Sequence, residues 1–254
     1  MMSRRPTERF SDRVNNYVRY RPSYPEELIT TLMRHCSLDS ASLIADVGSG
    51  TGILTKQLLD RNLRVLAIEP NAEMRQCAEA LLTEHERFTS VSGTAEETGL
   101  APASVDAVVV AQAFHWFRRE QALKEFRRIL KPEGWLALVW NQRKSTQLFQ
   151  RDYESLLGIH APEYSRVSHR NLTDEVIASC FDPKSYRAFT FDHAQVFDLS
   201  GFLGRMKSSS YTPHEDSPEY ERMRIDAEAL FASYEQHGTI SFEYDTQLYL
   251  GRLL

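Results

Sequence analysis

The sequence predicts an α/β fold, a doubly wound and mostly parallel sheet covered by helices on both faces. Three observations lead there. Short β-branched runs alternate with longer stretches of helical period, the first run closes on the glycine-rich loop DVGSGTG (46–52), and the chain finishes on a run of strict two-residue alternation.

The strand runs are SLIADV (42–47), RVLAIE (64–69), FTSVS (88–92), VDAVVVA (105–111) and GWLALVW (134–140). Near-continuous apolar character in such runs marks strands buried on both faces. Asn71 is placed to cap AEMRQCAEALL, with Met74, Cys77, Ala78 and Leu81 on one face. A second helix spans about 118–130, with Leu123, Phe126, Ile129 and Leu130 as its stripe, and KPEG stops it because Pro132 lacks an N–H and Gly134 tolerates a tight turn. Past Asn141 an insertion (142–183) carries a short helix at TDEVIASCF. A strand near 185–192, a helix near 199–207 and a long helix from Pro218 to His237 follow. In TISFEYDTQLYL, Ile240, Phe242, Tyr244, Leu248 and Leu250 alternate with Ser241, Glu243, Asp245 and Gln247, the pattern of a half-buried strand.

With 254 residues, 42% apolar and 26% charged, the chain has the composition of an ordinary soluble protein. A formal net charge of -5 argues against non-specific nucleic-acid binding, which needs clustered Lys and Arg. The basic start MMSRRPTER reads as a frayed terminus, and no run has the roughly 20 apolar residues of a membrane span. Cys36, Cys77 and Cys180 are odd in number and far apart, so reduced thiols in a cytoplasmic protein are expected, with neither disulfides nor a metal site.

Gly48, Gly50 and Gly52 let the main chain turn sharply and approach a ligand above a helix N-terminus. Glu69 ends the second strand 21 residues after Gly48, where a carboxylate accepts from both ribose hydroxyls. A dinucleotide fingerprint would need glycine at 53, which is Ile53, so a pyrophosphate cradle is disfavoured.

The order ADVGSGTG, AIEP, SGTAEETGL, VDAVVVAQAFHW and ILKPEGWLALVW resembles the class I S-adenosylmethionine-dependent methyltransferases, in particular the type 11 group, over about residues 40–141. YVRYRPSYP and FEYDTQLYLGRL resemble relatives of trans-aconitate methyltransferase. The resemblance implies a seven-stranded Rossmann-like sheet in a single domain, with N-terminal lid helices (1–40), a cofactor core (41–141) and substrate-side helices with the last two strands (142–254). It also implies that Gly48, Ser49 and Gly50 line the amino-acid part of S-adenosylmethionine, Glu69 the ribose, Thr94, Ala95 and Glu96 the adenine, and Gln112 the sulfonium. Tyr20 and Arg21 would come from the lid, Arg21 toward the cofactor carboxylate. The chain departs from the family pattern at Ser49, at Glu133 in place of glycine, and at ETGL after the adenine segment.

AQAFHWF (111–117) leaves a central strand at the end of the sheet where ligands bind. Phe114, His115, Trp116 and Phe117 are therefore candidates for a chamber wall, and Trp140 and Asn141 end a neighbouring strand there. His115 and Trp116 are the catalytic candidates; His115 reads either as a general base or as a hydrogen-bonded packing residue, and for Trp116 and Phe117 packing into the core is the favoured alternative. Arg19, Arg21, Tyr17, Tyr20 and Tyr24 crowd NNYVRYRPSYP, a pattern suited to a carboxylate. The reading is a methyltransferase acting on a small-molecule acceptor, an organic acid among the candidates. An NAD-dependent oxidoreductase and a non-catalytic nucleotide-binding protein of the same fold are the alternatives.

Overall fold

The computed structural model describes residues 14–161, Tyr164 and 173–254. The basic start and part of the insertion lie outside the described residues. Two helices lead in, α1 (Val14–Tyr20) and α2 (Glu26–Cys36). Then strand and helix alternate: β1 (Leu43–Val47), α3 (Ile53–Asp60), β2 (Arg64–Ile68), α4 (Ala72–Leu82), β3 (Phe88–Val91), β4 (Val105–Ala111), α5 (Arg119–Ile129) and β5 (Leu130–Arg143). The second half adds α6 (Leu148–His160), α7 (Asp174–Ala178), β6 (Arg187–Phe197), α8 (Leu199–Lys207), α9 (Pro218–Tyr234) and β7 (Ile240–Gly251).

The seven strands form one sheet in the order β3-β2-β1-β4-β5-β7-β6. Strands β1 to β5 pair in parallel, and β7 runs antiparallel to both neighbours, so the sheet is mixed rather than parallel throughout. The chain leaves β1 toward β2 and β3, then crosses back to β4 and β5. The reversal puts a switch point between β1 and β4, where a crevice opens beyond the strand carboxyl ends.

Strand pleating explains the apolar runs. Ile44, Val109 and Val139 face Leu28, Leu32, Leu54 and Leu58 of α2 and α3 on one side. Their neighbours Ala45, Val108, Val110 and Leu138 face Phe126 and Ile129 of α5 on the other. A third cluster joins α6, α8 and α9 around Phe242 and Tyr244 of β7. Cys36, Cys77 and Cys180 are free thiols, and burial pushes Cys36 up to about 12.

Several local expectations shift. Asn71 caps α4 as expected, its side chain accepting from the Met74 amide at 2.9 Å. Leu82 rather than Leu81 completes the buried face, because four residues beyond Ala78 falls squarely under that residue, leaving Leu81 53% exposed. The stop after α5 works differently too. Leu130 already pairs with Val105, the register jumps to Ala107 opposite Trp135, and Glu133 takes the left-handed conformation at φ 68°. Gly134 is needed for closeness, since a Cβ there would lie 2.9 Å from Leu130 and 3.0 Å from the Lys131 carbonyl.

Candidate functional site

The loop after β1 is built from three left-handed glycines with different reasons to be glycine. Gly48 (φ 73°) and Gly52 (φ 83°) are required by packing: an added Cβ would come within 2.6 Å of Ala113 and 2.8 Å of Leu82. Gly50 (φ 58°) faces open space, with the Met74 sulfur 3.8 Å away. That open side belongs to a crevice lined also by Glu69, Asn71, Met74 and Thr94. Gly48 and Ser49 donate their amides to the Ile68 carbonyl at 2.8 and 3.1 Å, locking the loop onto β2, and Gly52 caps α3. Ser49 is half-buried and gives main chain to the loop rather than a wall to the crevice.

Glu69 sits where β2 ends, with only 7% of its surface exposed. One carboxylate oxygen accepts from the Gly50 amide at 2.9 Å and the other from the Asn71 amide at 2.8 Å, so this side chain staples the loop to the start of α4. Burial raises its pKa, against the pull of those two amides and of Arg75. Each oxygen keeps a lone pair for a ligand hydroxyl. Thr94, Ala95 and Glu96 follow β3 and line the crevice opposite, held by reciprocal main-chain bonds between Thr94 and Glu97. Glu96 is tied by the Arg118 amide at 2.8 Å. The divergent ETGL has a role of its own: Thr98 donates amide and hydroxyl to buried Glu125 at 2.9 and 2.6 Å. Hydrogen bonds from Arg128, then Thr98, hold Glu125 down to about 2 against burial.

Gln112 leaves β4 in the left-handed region at φ 58°, a strained position for a non-glycine residue. Its amide bonds to the Val139 carbonyl at 2.9 Å. The next residues turn through a 3₁₀ segment (Phe114–Trp116). Phe114 packs into the core against Trp140 and Phe117, and Trp140 lies between Phe114 and Tyr249; neither is a wall. His115 and Trp116, 4.8 Å apart between ring centres, do face open space, as does Asn141. Phe117 lines the crevice beside Gly48.

A second chamber adjoins the first. Tyr17, Gln112 and Trp116 line both, and His115, Asn141, Arg21, Arg143, Arg205, Tyr211 and Tyr244 belong to the second alone. The expected placement of two N-terminal residues changes accordingly. Tyr20 packs on Gly204 of α8 and beside Phe197, touching neither chamber; α1 presents Tyr17 three residues earlier. Arg21 lines the second chamber rather than the glycine crevice, because its guanidinium reaches Ser208.

Sequence reasoning also passed over Asp46. It is 1% exposed behind the glycine loop, bonded by the Thr55 hydroxyl at 2.6 Å, and burial raises its pKa to about 7. A carboxylate inside an apolar strand run was the available signal. The native state therefore binds this proton more tightly than the unfolded chain, and stability falls as pH rises from about 4 to about 7. Asp46→Asn keeps an acceptor for Thr55 and should stabilise the protein at pH 8 by up to about 4 kcal/mol. The gain should vanish near pH 4, as checked by urea unfolding at both values. Among the described residues, no cluster of three or more His, Cys, Asp or Glu is placed to hold a metal, and no helix is long and apolar enough to cross a membrane.

A 3-2-1-4-5-7-6 sheet with one antiparallel strand and a glycine loop after β1 is a Rossmann-like fold of the kind seen in methyltransferases. Comparison with known proteins makes this specific. Residues 45–138 match the family model described as a methyltransferase domain. An uncharacterized methyltransferase of Mycobacterium tuberculosis is 41% identical over 149 residues, 59% of this chain and 58% of the relative. An uncharacterized methyltransferase-like protein of Schizosaccharomyces pombe is 29% identical over 220 residues, 86% of this chain and 83% of that protein. The structure of a putative type II methyltransferase from Anaeromyxobacter dehalogenans superimposes with a TM-score of 0.69 at 24% identity, over 92% of this chain and 99% of the other. These likenesses converge on a methyltransferase domain over residues 45–138, and the chain spans less than two thirds of the length of the Mycobacterium relative.

Proposed function

We propose that this protein transfers a methyl group from S-adenosylmethionine to a small-molecule acceptor, an organic acid, within a single domain whose α1 covers the site, while α2 packs on the sheet. The observation that carries the reading is the meeting of two chambers at Tyr17, Gln112 and Trp116, beyond the end of β4. One chamber has the cradle a nucleoside needs: an unobstructed glycine face at Gly50 and the twofold acceptor Glu69. Gly48, Ser49 and Gly50 take the amino-acid part, Glu69 the ribose, and Thr94, Ala95 and Glu96 the adenine.

When bound, the cofactor supplies an electrophilic methyl group. The chain's own task is alignment and exclusion of water. Gln112 and Trp116 mark the passage between the chambers, and aromatic faces suit a cationic methyl donor. An acidic acceptor reaches the site already ionised and needs no base. His115 then acts as a wall that props Trp116. Accordingly His115→Ala should lower kcat by about tenfold and leave cofactor affinity unchanged, whereas a general base would cost roughly 10²–10⁴-fold.

Calorimetry with S-adenosylmethionine and with NAD tests the cofactor, and a labelled-methyl assay over small carboxylic acids tests the transfer. Micromolar binding of NAD with none of the sulfonium compound would overturn the reading. Ile53, where a dinucleotide fingerprint has its third glycine, stands against that outcome.

A further inference from the structure

Among its described lining residues, the second chamber holds three arginines and one carboxylate. Arg21 follows α1, Arg143 ends β5 and Arg205 lies on α8, and all three line the same space. Arg205 is 4% exposed. Its side-chain bonds are long ones from a single nitrogen to the Ser208 and Ser209 hydroxyls, at 3.4 and 3.3 Å, and its Nε is buried without a partner. Arg21 donates to the Ser208 carbonyl at 2.9 Å, and its Nε is buried and unpartnered as well. Among the described residues lining the chamber there is one carboxylate, Glu154, and it pairs with Arg143 at 2.6 Å. Among the described residues, Arg21 and Arg205 have no carboxylate paired with them.

Burying a cation without a partner is strongly unfavourable, and a site that accepts this cost regains it when an anion arrives. Burial disfavours the Arg205 charge, but Tyr244, Tyr211 and Tyr153 outweigh it and hold the group above its ordinary value. Burial lowers the pKa of Arg21, and Arg205 lowers it further by repulsion. Burial alone would raise the Tyr211 phenol, but Arg143, Arg205 and Arg21 together pull it below its ordinary value. Position decides which part of the acceptor is involved. Arg143, Arg205 and Tyr211 line the second chamber without reaching the glycine crevice, while the passage is marked by Tyr17, Gln112 and Trp116.

We propose that Arg205 and Arg21, joined by Arg143, anchor a non-reacting anionic group of the acceptor, a carboxylate or a phosphate, held away from the atom that is methylated. This rests on the methyl-transfer reading, with the second chamber as the acceptor's place. The anchor makes Arg205 and Arg21 specificity-determining residues: they select acceptors bearing a fixed negative charge at the far end and reject neutral analogues. Guanidinium forks suit both carboxylate and phosphate oxygens.

The test is calorimetry and thermal unfolding of the full chain saturated with S-adenosylhomocysteine, at constant ionic strength, with succinate, inorganic phosphate and neutral succinamide as probes. Succinate or phosphate should bind and raise the unfolding temperature, and succinamide should do neither. Tighter succinate assigns the anchored group as a carboxylate, and tighter phosphate as a phosphoryl group. Arg205→Met should weaken the anion at least tenfold without changing S-adenosylhomocysteine affinity, and Arg205→Lys should recover part of the loss. Should Arg205→Met fail to fold, the succinate and succinamide comparison on the native chain still decides. Equal responses to those two probes, or anion affinity unchanged in Arg205→Met, would overturn the anchor. Loss of S-adenosylhomocysteine binding with anion binding retained would instead sink the methyl-transfer reading.

Discussion

Gly50→Val is expected to abolish cofactor binding in a protein that still folds. The native φ of 58° disfavours a β-branched residue, and the new side chain would project into the crevice rather than into the core, where nothing nearer than the Met74 sulfur at 3.8 Å meets its Cβ. Affinity for S-adenosylhomocysteine should fall at least about 100-fold, ~2.7 kcal/mol, by calorimetry. Gly48→Val makes the control. Its Cβ would strike Ala113 at 2.6 Å, so that variant should lose stability first and binding as a consequence. Full affinity in folded Gly50→Val would refute the loop assignment.

Glu69→Ala should damage both stability and binding. Removing the carboxylate strands the Gly50 and Asn71 amides, and each unsatisfied buried donor costs about 1–3 kcal/mol. The same change removes the acceptor proposed for the ribose, where a hydrogen bond to a charged group contributes about 1.5–3 kcal/mol. Denaturant unfolding should therefore show a loss of roughly 2–4 kcal/mol and calorimetry a cofactor affinity at least about 100-fold weaker. Glu69→Gln retains one acceptor oxygen and should fall between the two. A stability loss with unchanged cofactor affinity would leave Glu69 as a loop staple alone.

The features legible in the sequence were the local ones. All seven strand runs are recovered within a few residues, because burial on both faces writes itself as consecutive Val, Ile, Leu and Ala in β1, β4 and β5. The glycine loop and Glu69 were legible for the same reason: the turn and the strand end each lie within a short stretch of chain. Reading side-chain direction was harder. Leu81 and Leu82 differ by one helical step, and Trp140 points into the core although Asn141 beside it faces the chamber. Tyr20 was expected near the cofactor, yet the helix turns it toward Gly204 and brings Tyr17 to the crevice.

The arginine set was not legible at all as a set. Arg21, Arg143 and Arg205 stand far apart in sequence, and what brings them together is the packing of α1 and α8 beside the end of β5. Arg21 stood out in the sequence only as a candidate for the cofactor carboxylate, and Arg143 and Arg205 alone resemble ordinary surface charges. Asp46 is of the same kind: a buried acid behind the glycine loop acquires meaning from its surroundings rather than from its neighbours in the chain. Such local exceptions to packing preference concentrate at functional sites.

The central claim is that the amides after β1 and the carboxylate after β2 together hold a sulfonium nucleoside at the switch point of the sheet. A crystal soaked in S-adenosylhomocysteine tests it most directly. The account predicts density for the nucleoside between Gly50 and Thr94, with both ribose hydroxyls on Glu69. An empty crevice, or a ligand seated elsewhere with Glu69 touching no sugar, would contradict it.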